Sequence, residues 1–321
     1  MSKKKTLKNL IKILVTSIGL YLAYRQIDPQ LLNTNWEDYN LWLFVLSVIL
    51  AISNAFFTSS RLFVILERKI PFKFLLKSDF IASFFNLFLP STIGGDIVKI
   101  ARISDYSGSV SNSTVRVIVD RFLGIVAIIL LSAIFSIIGI ALGVISFPVY
   151  ITYFIIGIVV LTLISFIMLF KVNLKRFHTT EFNIKIFNYR KTIPLRKWIE
   201  AVYEIRKISF KDILLVIFFS SLYHLNASLI SFLCLKFLGV NISLFYVILF
   251  RNVTAVLLML PISIAGLGVR DFIYKELYGS ITSSPQVLLL APLIFILTCI
   301  VGLVGGIVFL LDKKKKSENK N

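Results

Sequence analysis

The chain has 321 residues, of which 57% are hydrophobic and 16% charged, and its formal net charge is +19. This composition excludes a water-soluble domain, which needs many more charged residues to cover its surface. The basic residues lie mainly between the hydrophobic runs, so the positive charge indicates membrane topology and not nucleic-acid binding.

Six runs are long and apolar enough to cross a bilayer as helices, since one crossing takes about 20 residues. They are 7–26, 41–65, 118–142, 149–170, 212–237 and 287–311. Residues 1–12 carry five Lys and lead into the apolar part of the first run, and no small-residue cleavage site follows, so we expect an uncleaved helix. The sequence predicts an all-α, polytopic transmembrane bundle in one membrane domain, 1–321, with the bundle itself at 7–311.

Two further apolar runs, 78–93 and 244–267, each end in a proline followed by glycines. Proline breaks a helix, so a plain crossing helix would not place it there. Leu89–Asp96 and Leu260–Gly268 share the order Leu-Pro, Ile, Gly, which an inverted repeat would show. Chance similarity between apolar sequences is the competing explanation.

Basic loops stay in the cytoplasm far more reliably than acidic ones. Lys and Arg number five in 1–12, four in 66–77, eleven in 171–211 and five in 312–321, with none in 27–40. We therefore expect both termini, the basic loop 171–211 and the tail 312–321 in the cytoplasm. Six crossings fit this orientation only if 78–100 and 244–286 are re-entrant hairpins, and the alternative is eight full crossings.

The first interruption is the strongest candidate site. Gly94-Gly95 lets the chain turn after the proline and restart at Asp96, whose carboxylate can cap the next helix. Free backbone amides at such a start favour a phosphate, and Lys99 and Arg102 follow on roughly one helix face. The alternative is that the glycines permit close helix packing while the two cations extend to the interface.

Asp120-Arg121 opens the 118–142 run, and Arg116 lies one turn earlier, where it can pair with Asp120. Arg121 either binds a headgroup or belongs to an interfacial ion pair, because charges near a helix end cost less than charges at the centre. Arg61, near the cytoplasmic end of its own run, is likewise interpreted as a member of an interfacial ion pair.

At the second interruption, Arg270 and Asp271 begin the segment that follows Gly266 and Gly268, and Arg251-Asn252 lies inside the preceding apolar run. A charge inside an apolar run faces protein or water and not lipid. The alternative role for Arg251 is to hydrogen-bond carbonyls that the break leaves free.

Other chemistry is sparse. His224 and Asn226, near the middle of 212–237, predict interhelical hydrogen bonds. The chain has two His, and its two Cys lie in apolar runs, so no metal-ligand set, disulfide framework or catalytic constellation can be assembled. We expect no metal and no cofactor, and the grounds for an enzyme are weak. The basic loop with its aromatics either contacts anionic headgroups or is only a topology signal.

Five motifs, in this order, resemble the lysylphosphatidylglycerol synthetase transmembrane region, also called the flippase-like family. They are Asn86–Pro90, Gly94-Gly95-Asp96, Asp120–Gly124, Leu260–Ser263 and Gly266–Arg270, and Gly302–Gly306 also fits. The similarity extends from about residue 10 to residue 311. It implies a membrane domain with two break-containing segments, which in the best-understood members moves an aminoacylated phospholipid between leaflets. Many members have no assigned substrate.

Two positions depart from the family pattern. Lys99 stands where the family often has Arg, and Asp271 stands where Glu is usual. Lys cannot form the bidentate grip that Arg gives a phosphate, so headgroup preference can differ. Members that synthesise the lipid carry a soluble aminoacyl-transferase domain that nothing in this chain matches, so we expect no synthesis of lysyl-lipid.

The leading hypothesis is a lipid-translocase-like protein whose broken segments line a polar cavity for an anionic or phosphate-bearing headgroup, of a phospholipid or a polyprenyl phosphate. The candidate headgroup-binding residues are Lys99, Arg102, Arg121, Arg270, Gly94 and Gly95, supported by Asn86, Asp96, Asp120, Arg251, Asn252 and Asp271. No Walker A loop is present, so a gradient or synthesis on one side would drive transport.

Two alternatives stay open. One is a component or enzyme of polyprenyl-phosphate glycolipid synthesis, and the other is a non-transporting scaffold for lipid-modifying enzymes. The expected location is a bacterial cytoplasmic membrane. The sequence does not define an oligomeric state.

Overall fold

The computed structural model describes residue 21 and residues 39–88, 94–145, 183–186, 189–192, 203–258 and 268–318. The predicted crossings 7–26 and 149–170 lie outside these residues. So do the two Leu-Pro breaks and most of the basic loop 171–211.

Eight α-helices have both ends within the described residues, which also contain one pair of antiparallel β-strands. The helices are α1 (Leu41–Ile65), α2 (Phe72–Phe88), α3 (Gly94–Ser107), α4 (Val110–Ala141), α5 (Phe210–Phe237), α6 (Leu244–Leu257), α7 (Val269–Gly279) and α8 (Leu290–Glu318). A 3₁₀ turn, Pro285–Leu289, leads into α8, and the hairpin of β1 (Asn183–Ile186) and β2 (Tyr189–Thr192) lies in the basic loop.

Four described helical segments are long and apolar enough to cross a membrane. They are Leu41–Ile65, Val110–Ala141, Phe210–Phe237 and Pro285–Asp312. Their presence confirms a helical, membrane-embedded protein at four of the six predicted runs. The total number of crossings and the inverted repeat stay predictions.

Two helices extend beyond the predicted crossings. α4 begins at Val110, well before residue 118, because the Ser109 side chain accepts from the Asn112 amide and caps the helix there. α8 continues to Glu318, so most of the tail 312–321 is helical. Hydropathy identifies only the apolar part of a helix, whereas capping and the good helix propensity of Lys extend it into polar sequence.

Helix α1 packs most extensively against α5. Asn226 of α5 donates to the Leu50 carbonyl at 2.8 Å and to Asn54 Oδ1 at 2.9 Å. An amide inside a membrane bundle needs such partners, because no water is available to it. The predicted interhelical role of Asn226 is confirmed.

Helices α2 and α8 pack closely because of glycines in α8. A Cβ atom at Gly306 would lie 2.9 Å from the Phe84 ring, and a Cβ at Gly305 would overlap the Phe80 carbonyl oxygen. Small residues let membrane helices approach until their backbones touch. The Gly302–Gly306 motif therefore holds α8 against α2.

Helices α2 and α3 are linked where α2 begins and α3 ends. Lys77, near the start of α2, and Arg102, near the end of α3, both bind the Asp312 carboxylate. The two helices have 17 and 14 residues, fewer than the about 20 needed to cross a bilayer.

Candidate functional site

A polar cavity of about 430 Å³ lies inside the helical bundle, and all eight described α-helices contribute to its wall. Among the described residues, its charged lining residues are Arg61, Lys99, Arg121, Arg251 and Arg270, with Asp79, Asp96 and Asp120. Five cations therefore face three carboxylates. Neutral polar groups, among them Asn54, Thr58, Asn86, Tyr223 and His224, complete the polar lining.

The first ion pair joins α1 to α4. Arg61 Nη2 donates to Asp120 Oδ2 at 2.6 Å, and Arg61 Nε donates to the other carboxylate oxygen. Arg61 is 8% exposed and Asp120 7%. The predicted ion pairing of Arg61 is therefore confirmed, and the pair is buried between two helices. Space for its guanidinium exists because position 124 is glycine, where a Cβ would lie 2.9 Å from Arg61 Nη1.

The second ion pair joins α3 to α2. Lys99 Nζ binds Asp79 Oδ1, and Thr58 of α1 donates to Asp79 Oδ2 at 2.8 Å. Asp79 is buried, so its carboxylate takes its partners from within the protein. Lys99 lines the cavity as a cation held on one side by an aspartate.

The third ion pair joins α4 to α3. Arg121 donates to both oxygens of Asp96, with Nε–Oδ2 at 2.9 Å and Nη2–Oδ1 at 2.8 Å. This bidentate geometry fixes the plane of the guanidinium. The Arg121 side chain is 45% exposed, so much of it faces the open space of the cavity.

The start of α3 differs from the expectation. The helix begins at Gly94, and Asp96 lies in its first turn with its carboxylate on Arg121, so Asp96 does not cap the helix. The Gly95 amide instead donates to Asn86 Oδ1 at 2.6 Å. That amide is therefore occupied, and Gly95 cannot be exchanged for alanine without displacing the Asn86 amide.

Arg251 and Asn252 connect α6 to two different helices. Arg251 Nη1 lies 2.9 Å from His224 Nδ1 of α5, and the buried Asn252 donates to Ser132 of α4 at 3.0 Å. The predicted interhelical bonding of His224 is confirmed. Arg251 lines the cavity, whereas Asn252 is not among the described lining residues.

Arg270 and Asp271 lie at the start of α7, but only Arg270 is among the described residues that line the cavity. Arg270 lines the cavity and is half-buried. Asp271 is buried, and its Oδ2 accepts from the Gly268 amide at 2.9 Å, which closes the first turn of the helix. Gly268 itself has a φ of 75°, which favours glycine.

Two predicted placements were wrong. Arg102 is outside the described cavity lining, because its guanidinium is bound to Ser78 and Asp312 near the C-terminal end of α3. Arg116 does not pair with Asp120 but binds the Glu67 and Glu204 carboxylates, at 2.6 and 2.8 Å.

Glu67, in the turn after α1, is part of an ion cluster outside the spanning segments. Its carboxylate accepts from Lys69 and from Arg116, each at 2.6 Å. These hydrogen bonds, that from Lys69 first, lower the pKa of Glu67 below its ordinary value. The Glu67 carboxylate therefore stays ionised at neutral pH and can bind Lys69 and Arg116.

Sequence reasoning missed Asp79 and Tyr223 and did not identify the partner of Arg61. Asp79 lies within the apolar run 78–93, so the argument applied to Arg251, that a charge in an apolar run faces protein or water, could have found it. Tyr223 carries no comparable signal. Among the described residues, no group of three or more His, Cys, Asp or Glu is arranged to hold a metal ion.

Comparison with known proteins gives one result on the family. The family model described as "Lysylphosphatidylglycerol synthase TM region" matches residues 9–306, which is most of the chain. No curated protein sequence matches the chain.

Proposed function

The chain belongs to the lysylphosphatidylglycerol synthase TM region family, and from that membership we propose that it moves a lipid with an anionic, phosphate-bearing headgroup across the membrane through its polar cavity. The observation that carries the proposal is a cavity, inside a bundle of apolar helices, whose described lining includes five cations and three carboxylates. Charges at membrane depth are costly, so they mark pathways for polar cargo.

The size of the cavity supports a headgroup as the cargo. Its volume of about 430 Å³ falls in the range of about 300–1,000 Å³ that small-molecule sites occupy. A phosphate-bearing headgroup fits such a space, while the acyl chains stay in the surrounding lipid. The cationic excess selects an anionic group.

The ion pairs provide fixed cations. Lys99 and Arg121 are each held by an aspartate on a neighbouring helix, so their positions do not depend on bound lipid. Because each pair joins two helices, a phosphate that competes with the carboxylate would loosen that contact. Such competition would couple headgroup binding to a change of access.

The short helices around the cavity support re-entrant segments. α2 and α3 have fewer residues than a crossing takes, and so do α6 and α7, with 14 and 11. Broken helices of this kind line the central sites of transporters. In this proposal both termini are cytoplasmic, and the membrane is a bacterial cytoplasmic membrane.

The enzyme alternative has less support. A glycolipid-processing enzyme needs a carboxylate that is free to transfer a proton. Asp96 and Asp120 are each bound through both oxygens by an arginine. The arrangement favours binding over acid-base chemistry.

Leaflet exchange in proteoliposomes tests the proposal. A panel of fluorescent lipids is compared for the wild type and for Lys99→Ala, Arg121→Ala and Arg270→Ala. We expect exchange of one lipid class, lowered about tenfold or more in these variants, because each loses a charge-assisted hydrogen bond worth about 1.5–3 kcal/mol.

Lys211→Ala is the matched control, because Lys211 is exposed in the first turn of α5 and is not among the described cavity residues. Its exchange rate should equal that of the wild type. Folded wild-type protein that exchanges no lipid class would contradict the proposal, as would an equal loss in Lys211→Ala.

A further inference from the structure

The three carboxylates of the cavity are all occupied. Each is bound by one cation, in the pairs Arg61–Asp120, Lys99–Asp79 and Arg121–Asp96. An ammonium group entering the described part of the cavity would therefore find no carboxylate without a cation already on it.

Two of the five cavity cations have no carboxylate partner in the described part of the chain. Arg251 contacts neutral groups, His224 Nδ1 at 2.9 Å and Asn252 Oδ1 at 3.3 Å. Arg270 makes no hydrogen bond or ion pair with any residue that the structure describes. The excess of two positive charges therefore resides on these two guanidinium groups.

The His224 contact fixes the protonation of its ring. A guanidinium only donates, so Nδ1 must accept, and the single ring proton is on Nε2. His224 is 4% exposed and lines the cavity, and its Nε2 has no hydrogen-bond partner among the described residues. The imidazole is thus neutral and leaves the charge of Arg251 uncompensated.

We propose that the lipid carried by this cavity is a phosphomonoester, whose headgroup binds Arg251 and Arg270, and not an aminoacylated phosphodiester. The inference rests on the proposed translocation and names its substrate class. A phosphomonoester carries a charge of about −1.5 to −2 at neutral pH and has three acceptor oxygens. It matches the two unpaired guanidinium groups in charge and offers each of them a separate oxygen.

The competing headgroups match less well. A phosphodiester carries one negative charge and therefore leaves one of the two cations uncompensated. An aminoacyl group adds ammonium charges, which the two guanidinium groups repel and which find no free carboxylate among the described residues.

Binding of short-chain lipids to the detergent-purified full chain tests the substrate class. The probes are dioctanoyl phosphatidate, dioctanoyl phosphatidylglycerol, its lysyl ester and glycerol 3-phosphate, each titrated while thermal unfolding is followed. We expect phosphatidate to bind at least about tenfold more tightly than phosphatidylglycerol, and the lysyl ester to bind most weakly. Equal or tighter binding of either phosphodiester would overturn the inference.

Substitutions of the two arginines test whether they cause the preference for a phosphomonoester. Arg251→Gln and Arg270→Gln should each reduce the preference for phosphatidate over phosphatidylglycerol to within about twofold, while Lys211→Gln should keep it. An unchanged preference in both arginine variants would place the selectivity elsewhere and overturn the inference. Glycerol 3-phosphate that binds as tightly as phosphatidate would show a soluble phosphomonoester as the ligand and also overturn it.

The exchange assay separates this inference from translocation itself. Exchange of phosphatidylglycerol without exchange of phosphatidate would overturn the phosphomonoester assignment and leave translocation standing. Tight, arginine-dependent phosphatidate binding without exchange of any lipid would support the assignment and contradict translocation.

Discussion

Asp120→Ala is expected to lower the free energy of unfolding by about 3–5 kcal/mol, the cost of leaving one partner of a buried ion pair uncompensated. Asp120 holds the guanidinium of Arg61 through both carboxylate oxygens, and both side chains are less than a tenth exposed. Without the carboxylate, the Arg61 guanidinium keeps Ser220 Oγ, at 3.4 Å, as its side-chain hydrogen-bond partner among the described residues. Denaturant unfolding of the detergent-purified chain measures the loss.

A double-mutant cycle isolates the pair. Arg61→Ala alone should cost a similar amount, whereas Arg61→Ala combined with Asp120→Ala should cost clearly less than the two losses added, since no charge is then left alone. Additive losses would show that the two side chains act separately.

An exposed ion pair provides the control. Arg68 binds Asp212 at 2.6 Å, but its side chain is 48% exposed. Exposed ion pairs contribute little to stability because solvent screens them, so Arg68→Ala should have a much smaller effect than Asp120→Ala. A loss as large as that of Asp120→Ala would contradict the importance assigned to burial.

Gly305→Ala is expected to lower the free energy of unfolding by about 3 kcal/mol, the upper part of the usual overpacking cost. A methyl group at position 305 would overlap the carbonyl oxygen of Phe80 on α2. Backbone atoms cannot rotate away as a side chain can, so α8 must move outward and lose its contact with α2. Thermal unfolding in detergent measures the effect.

Gly279→Ala is the matched control for this substitution. It lies at the end of α7, and a Cβ there would have nothing within 4 Å. Since alanine favours helix by about 0.8–1 kcal/mol over glycine, Gly279→Ala should be neutral or slightly stabilising. Equal losses at the two positions would mean that close packing of α2 and α8 is not the cause.

The apolar helices could be predicted because hydropathy alone determines them. The run 41–65 coincides with α1, and 212–237 differs from α5 only at its start. The start of α4 could not be placed by hydropathy, because Ser109 caps a polar first turn outside the apolar window. Local hydrogen bonds decide such boundaries.

The residues of the candidate site could be predicted better than the ion-pair partners of those residues. Glycine breaks and charges in apolar runs led to Lys99, Arg121 and Arg270, and all three line the cavity. The partner of Arg61 could not be predicted, because Asp120 is 59 positions away and only helix packing brings them together. Spacing within one helix suggested Arg116 instead, whose guanidinium goes to Glu67 and Glu204.

The central claim is that a lipid headgroup enters the cavity, and crosslinking from the headgroup tests it most directly. A phospholipid with a diazirine on its headgroup is irradiated in proteoliposomes, and the labelled residues are mapped by mass spectrometry. We predict labelling of cavity residues such as Thr58 and Tyr223, suppressed by excess unlabelled lipid. Labelling confined to exposed residues at helix ends, such as Trp42 and Phe210, would contradict passage through the cavity.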